Sequence, residues 1–130
     1  MKGFITDIEK TTEENTDYRR VLYTGKNSQL VLMNLPPGEE IGEEVHSLDQ
    51  FIRIEEGEAK VVLDGVEREM RDNYAVVVPA GTKHNVINTG KGELKLYSIY
   101  SPPEHRDGVV HKTKADASAD NEHFDGRVTE

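Results

Sequence analysis

The chain has 130 residues, with 16 basic and 25 acidic side chains, a formal net charge of −9, no cysteine and no tryptophan. This length fits one domain that can bury a hydrophobic core without covalent cross-links. The lack of cysteine excludes a disulfide framework, a thiolate metal site and a cysteine nucleophile. The negative charge argues against a nucleic-acid partner, because phosphate binding requires a basic surface.

The sequence shows no sign of a membrane or export segment. No apolar run approaches the roughly 20 residues of a membrane-spanning helix. Residues 1–10 lack the apolar stretch of a signal peptide. We therefore expect a soluble, cytoplasmic protein whose chemistry depends on histidines, carboxylates, amides and hydroxyls.

Short apolar runs separated by turn residues predict an all-β protein. A helix or a loop over 7–15 fits the polar sequence that precedes the first run. The Asp64-Gly65 pair is typical of a two-residue type I′ hairpin turn, so strands should flank it on both sides. Regularly spaced short strands indicate a sandwich or a barrel. The predicted strands, in chain order, are 20–24, 29–35, 51–54, 59–63, 74–78, 84–87 and 94–100.

The composition changes after Ser101, where two prolines interrupt the strand pattern. Residues 115–130 carry five acidic side chains and one arginine, a net charge of −4, and few large apolar groups. Such a composition cannot bury enough apolar surface to offset its conformational entropy. The sequence therefore predicts a disordered or loosely attached acidic tail over 115–130.

Two segments carry residues suited to metal chemistry. In the first, Glu44 and His46 are two residues apart, so on a strand both side chains face the same side, and Gln50 begins the next apolar run. In the second, a proline–glycine turn at 79–81 precedes His84 at the start of a strand. Two histidines and one carboxylate form the ligand set of non-haem iron sites, and Zn²⁺, Mn²⁺, Ni²⁺ or Co²⁺ would also bind.

These two segments resemble the paired motifs of the cupin superfamily, G-x5-H-x-H-x3,4-E-x6-G and G-x5-P-x-G-x2-H-x3-N. Glu44 stands where the first motif has a histidine, Gln50 stands where it has a glutamate, and Asn73 replaces the leading glycine of the second motif. The positions that match are Gly38, His46, Gly57, Pro79, Gly81, His84 and Asn88.

The resemblance implies a single-domain antiparallel jelly-roll β-barrel of the RmlC-like type, with one divalent transition metal (Fe, Mn, Ni, Zn or Co) inside. The metal ligands that it implies are Glu44, His46, Gln50 and His84. A carboxylate at position 44 is a sound ligand, whereas the neutral amide of Gln50 is weaker, so the two replacements are interpreted as compensating. The domain boundaries that follow are an N-terminal segment 1–17, a barrel with a C-terminal flap 18–114, and the tail 115–130.

Other interpretations of these residues remain open. Glu44 lies among other acids and could be a solvated loop residue, and either histidine could be a buried structural residue. Gln50 could hydrogen-bond a liganding water or Glu44 instead of binding the metal. The barrel could also keep these residues without binding a metal tightly. Asn88 is interpreted as structural, with its side chain bonded to backbone at the strand end.

Residues 97–111 resemble the C-terminal end of small bacterial single-domain cupins that are labelled mannose-6-phosphate isomerase-like. One interpretation is a flap across the barrel mouth in which Tyr100, His105 and His111 line a pocket or lid and supply acid–base or substrate contacts. The alternative is an ordinary polar exit loop. His123, in the acidic tail, is expected to be incidental.

The expected function is metal-dependent action on a small oxygen-rich metabolite such as a sugar, keto acid or diketone, by isomerase or lyase chemistry. A non-haem iron dioxygenase and a non-catalytic small-molecule binding or sensing module are the alternatives. The expected partners are a small-molecule ligand and a second copy of the chain, with no nucleic acid and no membrane. Phe51 and Arg53 should face away from the metal, on a surface suited to a homodimer contact.

Overall fold

The computed structural model describes residues 2–130, which form nine β-strands and two short helices. All seven predicted strands are present, and each end lies within two residues of its predicted position. The helices are α1 (Ile8–Glu14) and α2 (Lys114–Ala119). The strands are β1 (Arg19–Thr24), β2 (Gln29–Leu35), β3 (Asp49–Glu56), β4 (Glu58–Leu63), β5 (Val66–Arg71), β6 (Ala75–Val78), β7 (His84–Asn88), β8 (Leu94–Ser101) and β9 (Val110–His111).

The strands form two antiparallel sheets, which confirms the predicted all-β jelly-roll class. The larger sheet has six strands in the order β6-β3-β8-β2-β1-β9, and the smaller has three in the order β5-β4-β7. Neighbours in space are therefore mostly distant in sequence, as in a Greek-key arrangement. No helix among residues 2–130 has the length and apolar character needed to cross a membrane.

The core lies between the two sheets and is built from alternate residues of the strands. Ile52 and Ile54 of β3 are fully buried, whereas Phe51 and Arg53 between them are only half-buried and face outward, as predicted. The two sheets contribute to one apolar cluster, which shows that these faces pack against each other. Its members include Met33, Leu35, Ile54, Leu94 and Leu96 from the large sheet and Ala59, Val61 and Val86 from the small one.

One end of the interior is polar. Gln29, Tyr100 and Gln50 are direct cross-strand partners on β2, β8 and β3, and all three are buried. Ser98 lies on the same face of β8 and is fully buried, and His84 begins β7 on the opposite sheet. We call these five residues the polar end of the barrel. Buried polar side chains require partners, so this end is where a ligand can be bound.

The turn at Asp64-Gly65 joins β4 to β5 as predicted. Both residues have positive φ, 46° at Asp64 and 82° at Gly65, as a type I′ turn requires. In strand β5 only Met70 is buried, so the strand needs no run of apolar residues. The hairpin turn was therefore the only sequence signal for β5.

Gly57 connects β3 to β4 at a point where only glycine fits. Its φ is +112°, and a Cβ there would lie 2.9 Å from the Glu93 carbonyl oxygen and 3.1 Å from the Leu94 Cα. Its N–H donates to the Asp72 carboxylate at 2.8 Å. The glycine of the first motif is thus explained by backbone geometry and close packing.

The structure decides between helix and loop at the N-terminal end, and it differs from the prediction at the C-terminal end. The 7–15 segment is a helix, with the Asp7 side chain accepting from the Lys10 N–H at its N-terminus. The sequence predicts a disordered or loosely attached tail over 115–130, whereas the structure gives this segment helix α2, capped by Thr113, and hydrogen bonds to the barrel. The difference arises because its acidic side chains find buried histidine partners, which net charge alone does not indicate.

Candidate metal centre

Glu44 and His84 are brought together by the backbone. Their residues form an isolated antiparallel bridge, in which each backbone N–H donates to the other's carbonyl oxygen at 2.9 Å. A second bridge joins Glu40 to Ile87, so the 40–44 segment lies along β7. It contains one more residue than the facing part of β7, and Gly42, with φ of +107°, lies within it. This geometry is that of a β-bulge, which redirects a side chain near a site.

His46 lies on the same side as Glu44, as its spacing of two residues predicts. Its backbone carbonyl accepts from the Gly81 N–H at 2.8 Å, so the proline–glycine turn of the second motif holds the first motif in place. The rings of His46 and His84 are 5.2 Å apart between centroids. The two motifs therefore meet at one point in space.

Glu44, His46 and His84 form a group that could hold a metal ion. One nitrogen or oxygen atom from each lies within 4.8 Å of the others. Glu44 Oε2 is 3.5 Å from His46 Nε2, and the Glu44 side chain is 36% exposed while that of His46 is 11% exposed. Nitrogen and carboxylate oxygen donors at such separations suit divalent transition metals.

Each of the two histidines has a ring nitrogen that makes no hydrogen bond. His84 Nδ1 donates to the Thr82 carbonyl at 2.9 Å, which leaves Nε2 as the free donor atom. His46 Nε2 is buried and has no hydrogen-bond partner. A buried nitrogen without a partner is costly, and a metal ion would satisfy it. The residues therefore fit a divalent ion.

Glu104 approaches the centre from the segment after β8. Its Oε2 lies 3.5 Å from His46 Nδ1, on the ring edge opposite Nε2. A carboxylate on the second nitrogen of a metal-binding histidine fixes the ring orientation and raises its basicity. The sequence interpretation did not include Glu104, because nothing in the motif spacing points to it.

Gln50 lies in the polar end as the cross-strand partner of Tyr100, whose ring meets that of His46. Its Nε2 donates to the Ser98 hydroxyl at 3.1 Å, and its Oε1 is buried without a hydrogen-bond partner. The amide nitrogen of Gln50 is thus held by Ser98, while its amide oxygen is free to accept a hydrogen bond or bind an ion. Asn88, by contrast, donates to the carbonyls of Leu35 and Gly92 at 2.9 Å each, which confirms its structural interpretation.

Tyr100 lies between His105 and the group of Glu44, His46 and His84, which we call the metal group. Its ring meets His46 edge-on at 5.9 Å and His105 edge-on at 5.2 Å between centroids. Burial raises the pKa of Tyr100 well above its usual value, against the opposing positive charge of Arg19, and Glu44 adds to the rise. The pKa of Tyr18 is raised by burial to about 12 under the same two charges. Both hydroxyls therefore stay protonated and can donate hydrogen bonds.

His105 and His111 are buried and pair with acids of the tail. His105 Nδ1 donates to Glu122 Oε2 at 2.7 Å, and His111 Nε2 donates to Asp120 Oδ2 at 3.0 Å. His111 also belongs to β9, which pairs with β1. The 101–111 segment is therefore tied into the sheet edge and the tail, while His123 is exposed, as expected of an incidental residue.

Arg19 is a further residue that the sequence interpretation missed. It faces the interior from β1, opposite the buried Met33 of β2. Its Nη1 lies 3.3 Å from His111 Nδ1, and its guanidinium carbon is 5.4 Å from the centre of the Tyr18 ring. The available signal was that Arg19 lies two residues before the apolar Val21. Residues two apart on a strand share a face, so Arg19 should point inward as Val21 does.

Comparison with known proteins identifies the fold family. A protein-family model described as a cupin domain matches residues 31–100. The uncharacterized protein YrkC of Bacillus subtilis is 50% identical over 125 residues, which cover 91% of this chain and 67% of that protein. The crystal structure of BH2720 from Bacillus halodurans has a TM-score of 0.90 at 48% identity, covering 92% of this chain and 96% of that one.

A cupin superfamily protein from Desulfitobacterium hafniense is also similar, with a TM-score of 0.60 and 27% identity over 68% of this chain and 80% of that one. The family match spans more than half of the chain and contains most of the strands that enclose the polar end. The chain belongs to the cupin family.

Proposed function

We propose that this cupin binds one divalent transition metal through Glu44, His46 and His84 and acts on a small oxygen-rich metabolite. The observation that carries the proposal is the convergence of three donor atoms within 4.8 Å. Support comes from the unpartnered Nε2 of His46, which is buried beside the Glu44 carboxylate. A metal ion held there would satisfy both groups at once.

Gln50 is proposed as the fourth protein ligand. Its buried Oε1 lacks a hydrogen-bond partner, while its amide nitrogen is held by Ser98. An amide oxygen adds no charge, so Glu44 would be the only anionic ligand of the set. The set contains nitrogen and oxygen donors alone, which suits Fe²⁺, Mn²⁺, Ni²⁺, Zn²⁺ or Co²⁺.

The proposed reaction class is isomerase or lyase chemistry on a sugar, keto acid or diketone. A divalent ion bound at such a centre supplies a Lewis acid for a carbonyl or enolate oxygen. The chain contributes the orientation of the ligand, because the protonated hydroxyls of Tyr18 and Tyr100 can donate to its oxygens. Burial of these groups excludes water, which strengthens each hydrogen bond.

His105 and His111 are proposed to support the pocket wall rather than to contact the metal. His105 is held from both sides, since its ring donates to Glu122 and its backbone N–H donates to Gln29 Oε1 at 2.9 Å. The His105 Nε2 is buried and unpartnered, and its ring touches the Tyr100 ring. His105 therefore has a free nitrogen available to a ligand that reaches Tyr100.

The outer face of the large sheet is proposed as a homodimer contact. Val77, Phe51, Ile99 and Leu30 are direct cross-strand partners on four neighbouring strands, and they form one apolar row. Val77 is 61% exposed and Ile99 is 36% exposed. An apolar row across a sheet is typical of a surface that packs against another protein. The cytoplasmic location expected from the lack of a membrane span or signal-peptide stretch stays a prediction.

Elemental analysis of protein purified without chelators or metal-affinity steps tests the metal. We expect close to one metal ion per chain, or loading to that level on incubation with Fe²⁺, Mn²⁺, Ni²⁺ or Zn²⁺. Substoichiometric metal that does not rise on incubation would contradict the proposal.

Incubation of the metal-loaded protein with keto acids, diketones and sugar phosphates then separates the three functions. We expect product formation without oxygen uptake. Oxygen uptake by the iron-loaded protein with a diketone would instead indicate a dioxygenase. Thermal stabilisation by a compound that is not turned over would indicate a binding or sensing module.

A further inference from the structure

Arg19 is a partly buried cation that lacks a carboxylate partner. Among residues 2–130, no carboxylate oxygen lies within 4.0 Å of its guanidinium, whereas Arg20, Arg53 and Arg106 each have one. Its Nε is buried and makes no hydrogen bond. A partly buried charge without a carboxylate in direct contact is costly, so a residue of this kind is expected to have a further partner.

The polar contacts of Arg19 leave one edge of the guanidinium free. Nη1 donates to Nδ1 of His111, whose other nitrogen donates to Asp120, so this imidazole is a neutral acceptor. Nη1 is the only nitrogen of the group with a hydrogen-bond partner among residues 2–130. The Nε and Nη2 hydrogens point in the same direction, and this two-pronged edge matches the two oxygens of a carboxylate.

Arg19 faces the same interior space as the metal group. It shares its face with Val21 of β1 and with Met33 of β2, which belong to the two buried clusters of the barrel. The guanidinium carbon of Arg19 is 5.4 Å from the centre of the Tyr18 ring, and Tyr100 belongs to the same buried cluster as Val21. The ring of Tyr100 in turn meets His46. Tyr18 therefore lies beside the cation and Tyr100 beside His46, within the interior that Arg19 faces.

We propose that Arg19 binds the carboxylate of the ligand, so that the small molecule held at the metal centre is a 2-oxo or 2-hydroxy carboxylate. This inference rests on the proposed function and narrows its substrate class. The carbonyl or hydroxyl oxygen of such a ligand would be directed toward Glu44, His46 and His84, while its carboxylate pairs with Arg19. A neutral sugar or diketone would leave the guanidinium without a counterion.

The charge balance of the chain makes the position of Arg19 significant. The protein carries a net charge of −9, so its average field repels an anionic ligand. The proposed metal site itself holds two acids, since Glu44 and Glu104 meet His46 from two sides. Arg19, a cation directed into the same interior, provides the local attraction that a carboxylate needs.

The test compares two ligands of similar size by calorimetric titration of the metal-loaded protein. Pyruvate carries the carboxylate, and hydroxyacetone replaces it with a neutral alcohol. The variants are Arg19→Met and Arg19→Gln, of which the second retains a donor for His111. Arg20→Met is the matched control, because Arg20 is exposed on the opposite face of β1 and pairs with Asp17 at 3.7 Å.

We expect Arg19→Met and Arg19→Gln to weaken pyruvate binding at least about tenfold, as loss of a charge-assisted pair implies. Hydroxyacetone binding should change less than about twofold, and Arg20→Met should leave both affinities unchanged. Metal content of the variants should equal that of the wild type. Where Arg19→Met fails to fold, Arg19→Gln provides the same comparison.

Three results would overturn the inference. The first is that the wild-type protein retains its metal but does not bind pyruvate. The second is that the Arg19 variants bind pyruvate with unchanged affinity. The third is that these variants lose affinity for pyruvate and hydroxyacetone equally. The last result would mean that Arg19 only supports β9 through His111. Failure of the wild type to hold a metal is a separate result, read by elemental analysis, and it would overturn the proposed function itself.

Discussion

Glu44 and His84 face each other across a two-residue antiparallel bridge, in which each N–H donates to the other's carbonyl at 2.9 Å. The bridge joins the two sequence motifs through backbone atoms, so the positions of these two proposed ligands are set by the fold without an ion. His84 is in addition fixed in one tautomer by Thr82. Preorganised ligands of this kind lose little entropy on binding, which favours affinity.

Replacing His84 with alanine should abolish metal binding, because the substitution removes a proposed ligand whose free nitrogen the fold has positioned. Gln50→Ala should weaken binding less, since a neutral amide oxygen contributes less than an imidazole. Metal content after dialysis and a competition titration with a chromophoric chelator measure both effects. Lys83→Ala, at an exposed neighbour of His84, is the control. Equal losses in the two variants would show that Gln50 is a full ligand.

Glu104→Gln should weaken the metal affinity about tenfold or more while the protein remains folded, as loss of a carboxylate beside a metal-binding histidine typically does. The reason is the 3.5 Å contact of Glu104 with His46 Nδ1, which would orient the ring toward the proposed ion. The competition titration measures the change. Glu43→Gln is the matched control, since Glu43 is exposed and reaches only Lys83 at 3.9 Å. An affinity that Glu104→Gln leaves unchanged would contradict a positioning role.

Gly57→Ala should lower the free energy of unfolding by about 1 to 3 kcal/mol, from backbone strain at positive φ together with steric overlap. The added Cβ would lie 2.9 Å from the Glu93 carbonyl oxygen, and backbone atoms cannot move aside cheaply. Urea denaturation measures the change. Gly92→Ala is the control, because no atom lies within 4 Å of its Cβ position and its φ is not in the positive range. Similar losses in both variants would contradict this explanation.

Local patterns in the sequence were sufficient to predict most of the fold. Alternation of apolar residues gave the β3 face, with Ile52 and Ile54 inward and Phe51 outward, and Asp64-Gly65 gave the hairpin. The motif spacing brought Glu44, His46 and His84 together, as the structure also does. These signals were readable because each depends on neighbours within a few residues or on a spacing known from the family.

The contacts that could not be predicted join residues distant in sequence without a shared pattern. Glu122 meets His105 across 17 positions, and Arg19 meets His111 across 92. Neither separation in sequence corresponds to a known motif or to the period of a helix or strand. The tail composition indicated disorder because net charge does not reveal that single acids have buried partners. Such pairings depend on the route of the chain after β8, which only the structure gives.

A charge in the outer apolar row should prevent association of two copies. Ile99→Glu would place a carboxylate in the middle of the row, between its partners Phe51 and Leu30, and burying it in an interface would be costly. We expect a dimer for the wild type and a monomer for the variant in sedimentation velocity experiments. Val66→Glu is the control, because Val66 is 50% exposed but lies on the small sheet. A monomeric wild type would contradict the dimer proposal.

Attachment of the tail should weaken as the pH falls, because it depends on an ionised Glu122. Burial alone would raise the pKa of Glu122, but hydrogen bonds from the His105 ring and the Arg106 N–H hold it below the ordinary value of 4.5. A carboxyl group with a lowered pKa in the folded state stabilises the fold fully above its ordinary pKa. That stabilisation is lost as the pH falls through the lowered value.

Glu122→Gln should therefore lower the free energy of unfolding by about 1 to 3 kcal/mol near neutral pH, the range for a charge-assisted hydrogen bond. The difference from the wild type should stay constant down to about pH 5.5 and shrink below pH 4.5 as the wild-type carboxyl becomes protonated. Urea denaturation at several pH values measures it. Asp125→Asn is the control, since Asp125 is exposed and its carboxylate accepts only from the nearby Arg127 N–H. A difference that grows on acidification would contradict the lowered pKa, because a group with a raised pKa gives the opposite sign.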